Sequence, residues 1–414
     1  MDPAIHAALR RFPLIGRPRP SCPNLELRLQ EVIDAVAAGE QKGEDGMHDV
    51  AHALNKAALI ASDARMPDLA RRLCWQHIDA YRNAGRPLTF LECRYMLEPV
   101  HNLARLQLRS GQDAPALTLL EAMHQAVTEH RNLDLENQTL PTGTLVGAPR
   151  DEQSLRRWVW LQLVGDGVRA LALADRWPDA AAHARRHHVI GDHLLEGRQA
   201  SIIAHLVENQ PAQAAISLVA TVLAEPWENE VAPCFHAMCA AAGDSERAAG
   251  QHLDVALARL RARKQGPQYS SYRTRLGLTI AILAQPTRPD FSAGVAVQTA
   301  EEAIDCVDGY AARDVLGCKE LVPAVTSRQR AALARIAQEC GLAGPLPDTI
   351  RTKLLGTAEQ AAGVLGSVLK SVDLDHSSDP MDAETENDEQ RHGSHAAPGE
   401  AVQLPVHRYG DADA

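Results

Sequence analysis

From Asn24 onward, apolar residues recur three and four positions apart in successive stretches, which are separated by short connections containing Gly, Pro or polar residues. This spacing places the apolar side chains on one face of an α-helix, so it predicts a series of amphipathic helices. The first stripe ends before Gly39, a residue type that commonly follows the last turn of a helix. Its apolar positions are Leu25, Leu29, Val32, Ile33 and Val36.

The next two stripes form the clearest structural unit of the chain. The first lies between Gly46 and Asp63, and the second begins at Pro67 and ends near Gly85. Proline suits the first turn of a helix because its missing N–H would be unpaired there anyway. Two amphipathic helices joined by a tight turn predict an αα-hairpin. Their apolar positions are Val50, Ala51, Leu54, Ala58 and Ala61, then Leu69, Leu73, Ile78 and Tyr81.

The hairpin pattern then recurs, with a small residue early in each second helix. The helix pairs are predicted at 91–109 with 114–130, 160–175 with 180–188, 202–207 with 212–223, and 235–242 with 246–260. The small residues are Ala70, Ala116, Ala181, Ala214 and Ala248, at intervals of 46, 65, 33 and 34 residues. The last two intervals match a repeat of roughly 34 residues, and the first two require insertions.

Over residues 46–265 the chain resembles the tetratricopeptide-repeat (TPR) superfamily. Ala58 with Ala70, and Ala104 with Ala116, are twelve residues apart, as are the small residues at which the two helices of such a repeat cross. Later units depart from this pattern, and the large aromatic positions of the family are mostly absent. The resemblance implies an all-α, right-handed α-solenoid of antiparallel helix pairs. The frequent Ala and Arg residues are also typical of a high-GC bacterium such as an actinobacterium.

Outside the repeats, four further helices are predicted at 272–283, 293–307, 327–340 and 350–370. The last carries an apolar stripe and either caps the array or docks on a partner. The remaining organisation is an irregular basic, Pro-rich arm (1–23), N-terminal repeats (24–132), an inserted Gly/Pro/Thr-rich loop (133–152), C-terminal repeats with capping helices (153–370), and an acidic tail (371–414).

Charge is concentrated at the two ends of the chain. The net charge is −11, and residues 371–414 hold eleven acidic and two basic residues, so that this tail carries −9 and the remainder −2. A nearly neutral body argues against direct binding of nucleic acid, which needs a basic surface. The tail is expected to be disordered. Four arginines near the start, expected on a solvated arm, are Arg10, Arg11, Arg17 and Arg19.

Composition bears on fold class and location. Hydrophobic residues make up 45% of the chain and aromatic residues only 4%, so that the apolar content is mainly Ala and Leu, which favour helices. The eight cysteines follow no disulfide spacing, which is typical of a reducing compartment. No signal-peptide core and no apolar run long enough to span a bilayer is present. We therefore expect a cytoplasmic protein without membrane contact.

Three groups of residues have spacings compatible with a metal ion. They are His48 with His52, His183 with His187, and Cys234 with Cys239. His48 and His52 have no evident third ligand, His183 and His187 suit the C-terminal end of a basic helix, and Cys234 and Cys239 lack a second Cys-x-x-Cys pair. We therefore interpret all three groups as structural and expect no metal site, no cofactor and no catalytic residues. Phosphate-binding Gly-Lys loops, Gly-x-Gly-x-x-Gly and Gly-x-Ser-x-Gly motifs are also missing, so an enzyme is the less favoured class.

The resemblance implies that the first helix of each repeat lines a concave groove. We therefore predict a protein- or peptide-binding scaffold or regulatory protein, which would support a regulatory or biosynthetic pathway. Two alternatives stay open: a peptide-sensing regulator that acts through a separate DNA-binding partner, and an enzyme or enzyme subunit on an αα architecture. The predicted groove residues are His52, Asn55, Lys56, Glu98, His101, Asn102, Arg105 and Arg109.

Overall fold

The computed structural model describes residues 2–263 and 265–371, and within these ranges it is predominantly helical, which confirms the predicted all-α class. The predicted disorder of the acidic tail falls almost entirely outside the described residues. The α-helices are α1 (Pro3–Leu9), α2 (Leu25–Lys42), α3 (Met47–Asp63), α4 (Pro67–Arg82), α5 (Phe90–Arg109), α6 (Asp113–Thr128), α7 (Pro149–Leu173), α8 (Trp177–Arg186), α9 (Glu196–Val207), α10 (Pro211–Val219), α11 (Pro226–Ala242), α12 (Glu246–Ala262), α13 (Ser270–Ala284), α14 (Pro289–Asp305), α15 (Gly309–Leu316), α16 (Ser327–Glu339) and α17 (Asp348–Ser371).

The same turn joins the two helices of five successive pairs. In each turn one residue adopts a left-handed conformation, with φ between 57° and 70°. One further residue follows it, and the second helix then begins. The N–H of that next residue donates to the carbonyl five positions earlier, over 2.8–3.0 Å, which is the bond of a Schellman motif. The left-handed residues are Arg65, Gly111, Asp175, Asn209 and Asp244.

From α2 to α16 each helix packs on its neighbour in sequence, and the first helices of consecutive pairs also pack on one another. The first helices therefore form a continuous row, which we call the first-helix row: α3, α5, α7, α9, α11, α13 and α15. The second helices of the pairs, from α4 to α16, each pack against the first helix of their own pair. The short helix α15 was not predicted, because its eight residues begin with glycine and are too few to show a helical period.

The apolar residues of the N-terminal arm are packed inside the molecule, which was not predicted, whereas Arg10, Arg17 and Arg19 are exposed, as expected for a solvated segment. Helix α1 lies against α13, and the apolar residues of the arm belong to the same core as α7, α9 and α11. Phe12 meets Phe235 of α11 edge to face, with ring centroids 5.0 Å apart. The buried residues of the arm are Ile5, Ala8, Leu9, Phe12, Leu14 and Cys22.

The two ends of the described chain meet. The N–H of Gly309, at the start of α15, donates to the Cys22 carbonyl over 2.9 Å, and Arg28 of α2 donates to the Cys340 carbonyl over 3.1 Å. Helix α17 then packs across α2, α3 and α4. It therefore covers the beginning of the helical array rather than the end that precedes it in sequence.

The inserted segment contains structure that its composition did not predict. Strands β2 (Leu133–Leu135) and β3 (Gln138–Leu140) pair antiparallel, while β1 (Leu88–Thr89) pairs parallel with β4 (Leu145–Val146). Helix α7 begins at Pro149, inside the predicted loop, with Asp151 and Glu152 in its first turn, where carboxylates favour a helix N-terminus. Within the described part of the chain, no helix is long and apolar enough to cross a membrane.

Candidate functional site

Polar residues predicted for the groove lie next to one another on α3 and α5. The Asn55 amide donates to Glu98 over 2.8 Å, and the Asn102 amide donates to the Asn55 side-chain oxygen over 2.8 Å. Asn55 and Glu98 are half-buried, while Asn102 is buried. These side chains therefore hold one another in place and join the first two helices of the first-helix row.

A second group joins α5 to α7 around Asp166. His101 Nε2 lies 2.6 Å and Arg105 Nε lies 2.9 Å from the same carboxylate oxygen, while an Arg169 nitrogen lies 3.8 Å from the other oxygen. Burial opposes ionisation of Asp166, but Arg105 and His101 outweigh it and hold the pKa of this carboxyl well below its usual range. Asp166 was missed in the sequence analysis. Its only signal was an acidic residue within the apolar stretch 163–168.

The remaining predicted groove residues lie at the edges of this band. The Lys56 ammonium contacts Glu31 of α2 at 2.8 Å, and Arg109 contacts Asp63 at 3.2 Å. His52 is half-buried, and its pKa is lowered by desolvation and by the positive charge of Lys56. Together with the two central groups, these residues form a polar band that runs from α2 across α3 and α5 to α7.

The polar band leads directly to the N-terminal arm. Desolvation lowers the pKa of Arg19 in the arm, and the nearby charges of Arg169 and Arg105 add to this effect. Further along, the Leu14 N–H donates to the Gln199 side-chain oxygen over 2.8 Å, and the Gln199 amide donates back to the Leu14 carbonyl over 2.9 Å. The first-helix row thus bears polar side chains at α3 and α5 and a bound polypeptide segment from α7 to α15.

The residue pairs whose spacing is compatible with a metal ion contact other protein groups. His48 Nδ1 contacts the Tyr95 hydroxyl at 2.8 Å, and its ring lies 6.1 Å from that of His52. His183 Nε2 lies 3.3 Å from the Leu163 carbonyl. Burial raises the pKa of the Cys234 thiol to about 12. Among the described residues, no group of three or more His, Cys, Asp or Glu side chains could hold a metal ion.

Comparison of the chain with protein-family models, with curated proteins and with solved structures gives no match.

Proposed function

We propose that this chain is a protein- or peptide-binding scaffold, built as a TPR-like right-handed α-solenoid of antiparallel helix pairs. Its first-helix row would line the concave groove, and its second helices would lie outside. The recurrence of one turn geometry in five pairs supports a repeat architecture, since equal turns give equal helix-pair geometry. Extended concave surfaces are the usual binding surfaces of such arrays.

The observation that carries this proposal is the seating of the N-terminal arm on the row. Leu14 is recognised through both of its backbone groups by one side chain, Gln199, as an extended peptide ligand is held by main-chain hydrogen bonds. The arm also passes very close to α11, because a Cβ atom on Gly16 would lie 2.2 Å from Cβ of Trp227. The seating of segment 3–22 on this row supports the proposal that the row binds polypeptide.

We assign the binding of a second polypeptide to the polar band. Two of its cationic side chains reach solvent, since the Arg105 side chain is 38% exposed and that of Arg109 is 44% exposed. Asn102 instead is buried and bonded to Asn55, so its role is to position the band. Arg105 is therefore the better residue to change in a binding test.

The test uses the full chain and a library of displayed random peptides. The affinity of selected peptides is measured by fluorescence anisotropy for the wild type, for Arg105→Ala, and for Arg72→Ala, a matched change at an exposed position on α4. The proposal predicts at least tenfold weaker binding by Arg105→Ala and no change for Arg72→Ala. Equal affinities in all three proteins, at unchanged thermal midpoints, would refute the assignment.

A further inference from the structure

The charged residues that line a recess between the arm and α13 are all positive. Its charged lining residues are three arginines, Arg17 and Arg19 of the arm and Arg275 of α13. Its remaining lining residues are Pro13, Leu14, Ile15, Gln268, Ser271 and Tyr272. Gln268 and Ser271 offer an amide and a hydroxyl, so the polar groups around this recess are well supplied with hydrogen-bond donors.

One of the three guanidinium groups is already neutralised. Arg17 contacts both carboxylate oxygens of Glu196, at 3.1 and 3.3 Å. Arg275 donates over 2.6 Å to the backbone carbonyl of Arg11, a neutral acceptor that leaves its charge in place. The backbone of Arg19 is held at the recess, because its backbone N–H donates to the Gln268 backbone carbonyl over 2.8 Å.

The electrostatic surroundings of Arg19 and Arg275 are strongly positive. Desolvation lowers the pKa of Arg19 to about 10, together with the charges of Arg169, Arg275, Arg105 and Arg17. Desolvation likewise lowers the pKa of Arg275 to about 10, where Asp314 opposes the effect while other arginines add to it. Both groups stay protonated at neutral pH, so the recess concentrates positive charge that an anion would neutralise.

We propose that this recess binds the phosphoryl group of a ligand. The planar guanidinium fork matches the oxygen spacing of a phosphate, and a doubly charged anion would balance Arg19 and Arg275 together. The hydroxyl of Ser271 and the amide of Gln268 supply the neutral donors that such an anion also requires. This inference goes beyond peptide binding, and Arg105, the position tested above, is not among the residues that line the recess.

The experiment is isothermal titration calorimetry on the full chain at constant ionic strength, because salt screens exposed charges. Inorganic phosphate, pyrophosphate and phosphoserine are titrated separately. The compound that binds tightest shows whether the site prefers a free phosphate, a phosphoanhydride or a phosphate ester. We expect saturable binding by at least one of them, weakened at least tenfold in Arg19→Gln. Arg335→Gln, on an exposed part of α16, is the matched control and should leave the affinity unchanged.

Three outcomes would overturn this site. They are the absence of saturable binding for all three compounds, equal affinity in Arg19→Gln and wild type, or equally tight binding of citrate. The thermal midpoint of each variant is measured alongside. Arg19→Gln keeps a long polar side chain and should unfold at the wild-type temperature. Arg275→Lys keeps the positive charge but removes the planar guanidinium group. It is a second test of the same affinity and should weaken binding less than Arg19→Gln.

Discussion

The Tyr310 hydroxyl donates a 2.6 Å hydrogen bond to the carboxylate of Asp63, joining the end of α3 to α15 across 247 residues. The same carboxylate oxygen lies 2.6 Å from a guanidinium nitrogen of Arg28, and the Asp63 side chain is completely buried. A buried, charged node therefore helps to join the first and last units of the helical array.

Removing this carboxylate should destabilise the protein strongly. Asp63→Ala leaves the buried guanidinium of Arg28 without its partner, which costs about 3–5 kcal/mol in comparable buried pairs. Tyr310→Phe removes a single hydrogen bond and should cost about 1 kcal/mol. Urea unfolding followed by circular dichroism measures both changes. Glu339→Ala, which breaks an exposed pair with Arg335, is the control and should have almost no effect. Equal losses for Asp63→Ala and Glu339→Ala would contradict the closed arrangement.

The pairing of Gln199 with Leu14 should control access to the arm. Gln199→Ala removes both hydrogen bonds to the Leu14 backbone, so the arm should detach more often and make the peptide bonds next to its arginines accessible to trypsin. We expect cleavage after Arg10 or Arg11 to become at least tenfold faster, as followed by mass spectrometry. Gln213→Ala, at an exposed position of α10, should be cut at the wild-type rate. Unchanged cleavage in Gln199→Ala would mean that this pair does not hold the arm.

His77 should make stability fall in acid. Its side chain is buried beside Tyr81, and desolvation lowers its pKa to about 3 from an ordinary value of 6.5. Between these values the unfolded chain binds a proton that the folded chain excludes, so stability decreases as pH falls from 6.5 towards 3. The contribution is at most about 1.4 kcal/mol per pH unit. The pH dependence of unfolding is measured for wild type and His77→Phe, and the variant should show the smaller slope. Identical slopes would show that His77 is accessible to protons in the folded state.

The cysteines should differ sharply in reactivity. Cys306 is exposed, whereas the other seven cysteines are buried and their thiols are shielded from reagents. Ellman's reagent should therefore label one thiol quickly in the native protein and eight after denaturation. Cys306→Ser should abolish the rapid phase. A rapid phase of two or more thiols would mean that the packing described for the buried cysteines is open in solution.

The sequence predicted the helical class and most helix positions because apolar period and proline placement are local signals. The turns were harder to read, since four of the five left-handed turn residues are not glycine: Arg65, Asp175, Asn209 and Asp244. Their conformation is imposed by the hydrogen bonds that close each helix, and composition alone does not specify it.

The burial of the arm and the node at Asp63 could not be predicted from local pattern. Leu14 and Gln199 are 185 residues apart, and the short apolar runs of the arm are interrupted by proline and arginine, as in a solvated segment. At the candidate site, the predicted residues do lie together on α3 and α5, but Asp166, which organises two of them, was missed. A single acidic residue in a helix has no sequence signature until its partners on α5 are known.

The proposed groove is tested most directly by mapping where a bound peptide lies. A peptide selected on the full chain carries a photoreactive benzophenone, is irradiated in the complex, and its crosslinked residues are identified by mass spectrometry. We expect crosslinks on the first-helix row, concentrated on α3, α5 and α7 around Lys56 and Arg105. Crosslinks confined to the second helices α4, α6 and α8 would contradict it.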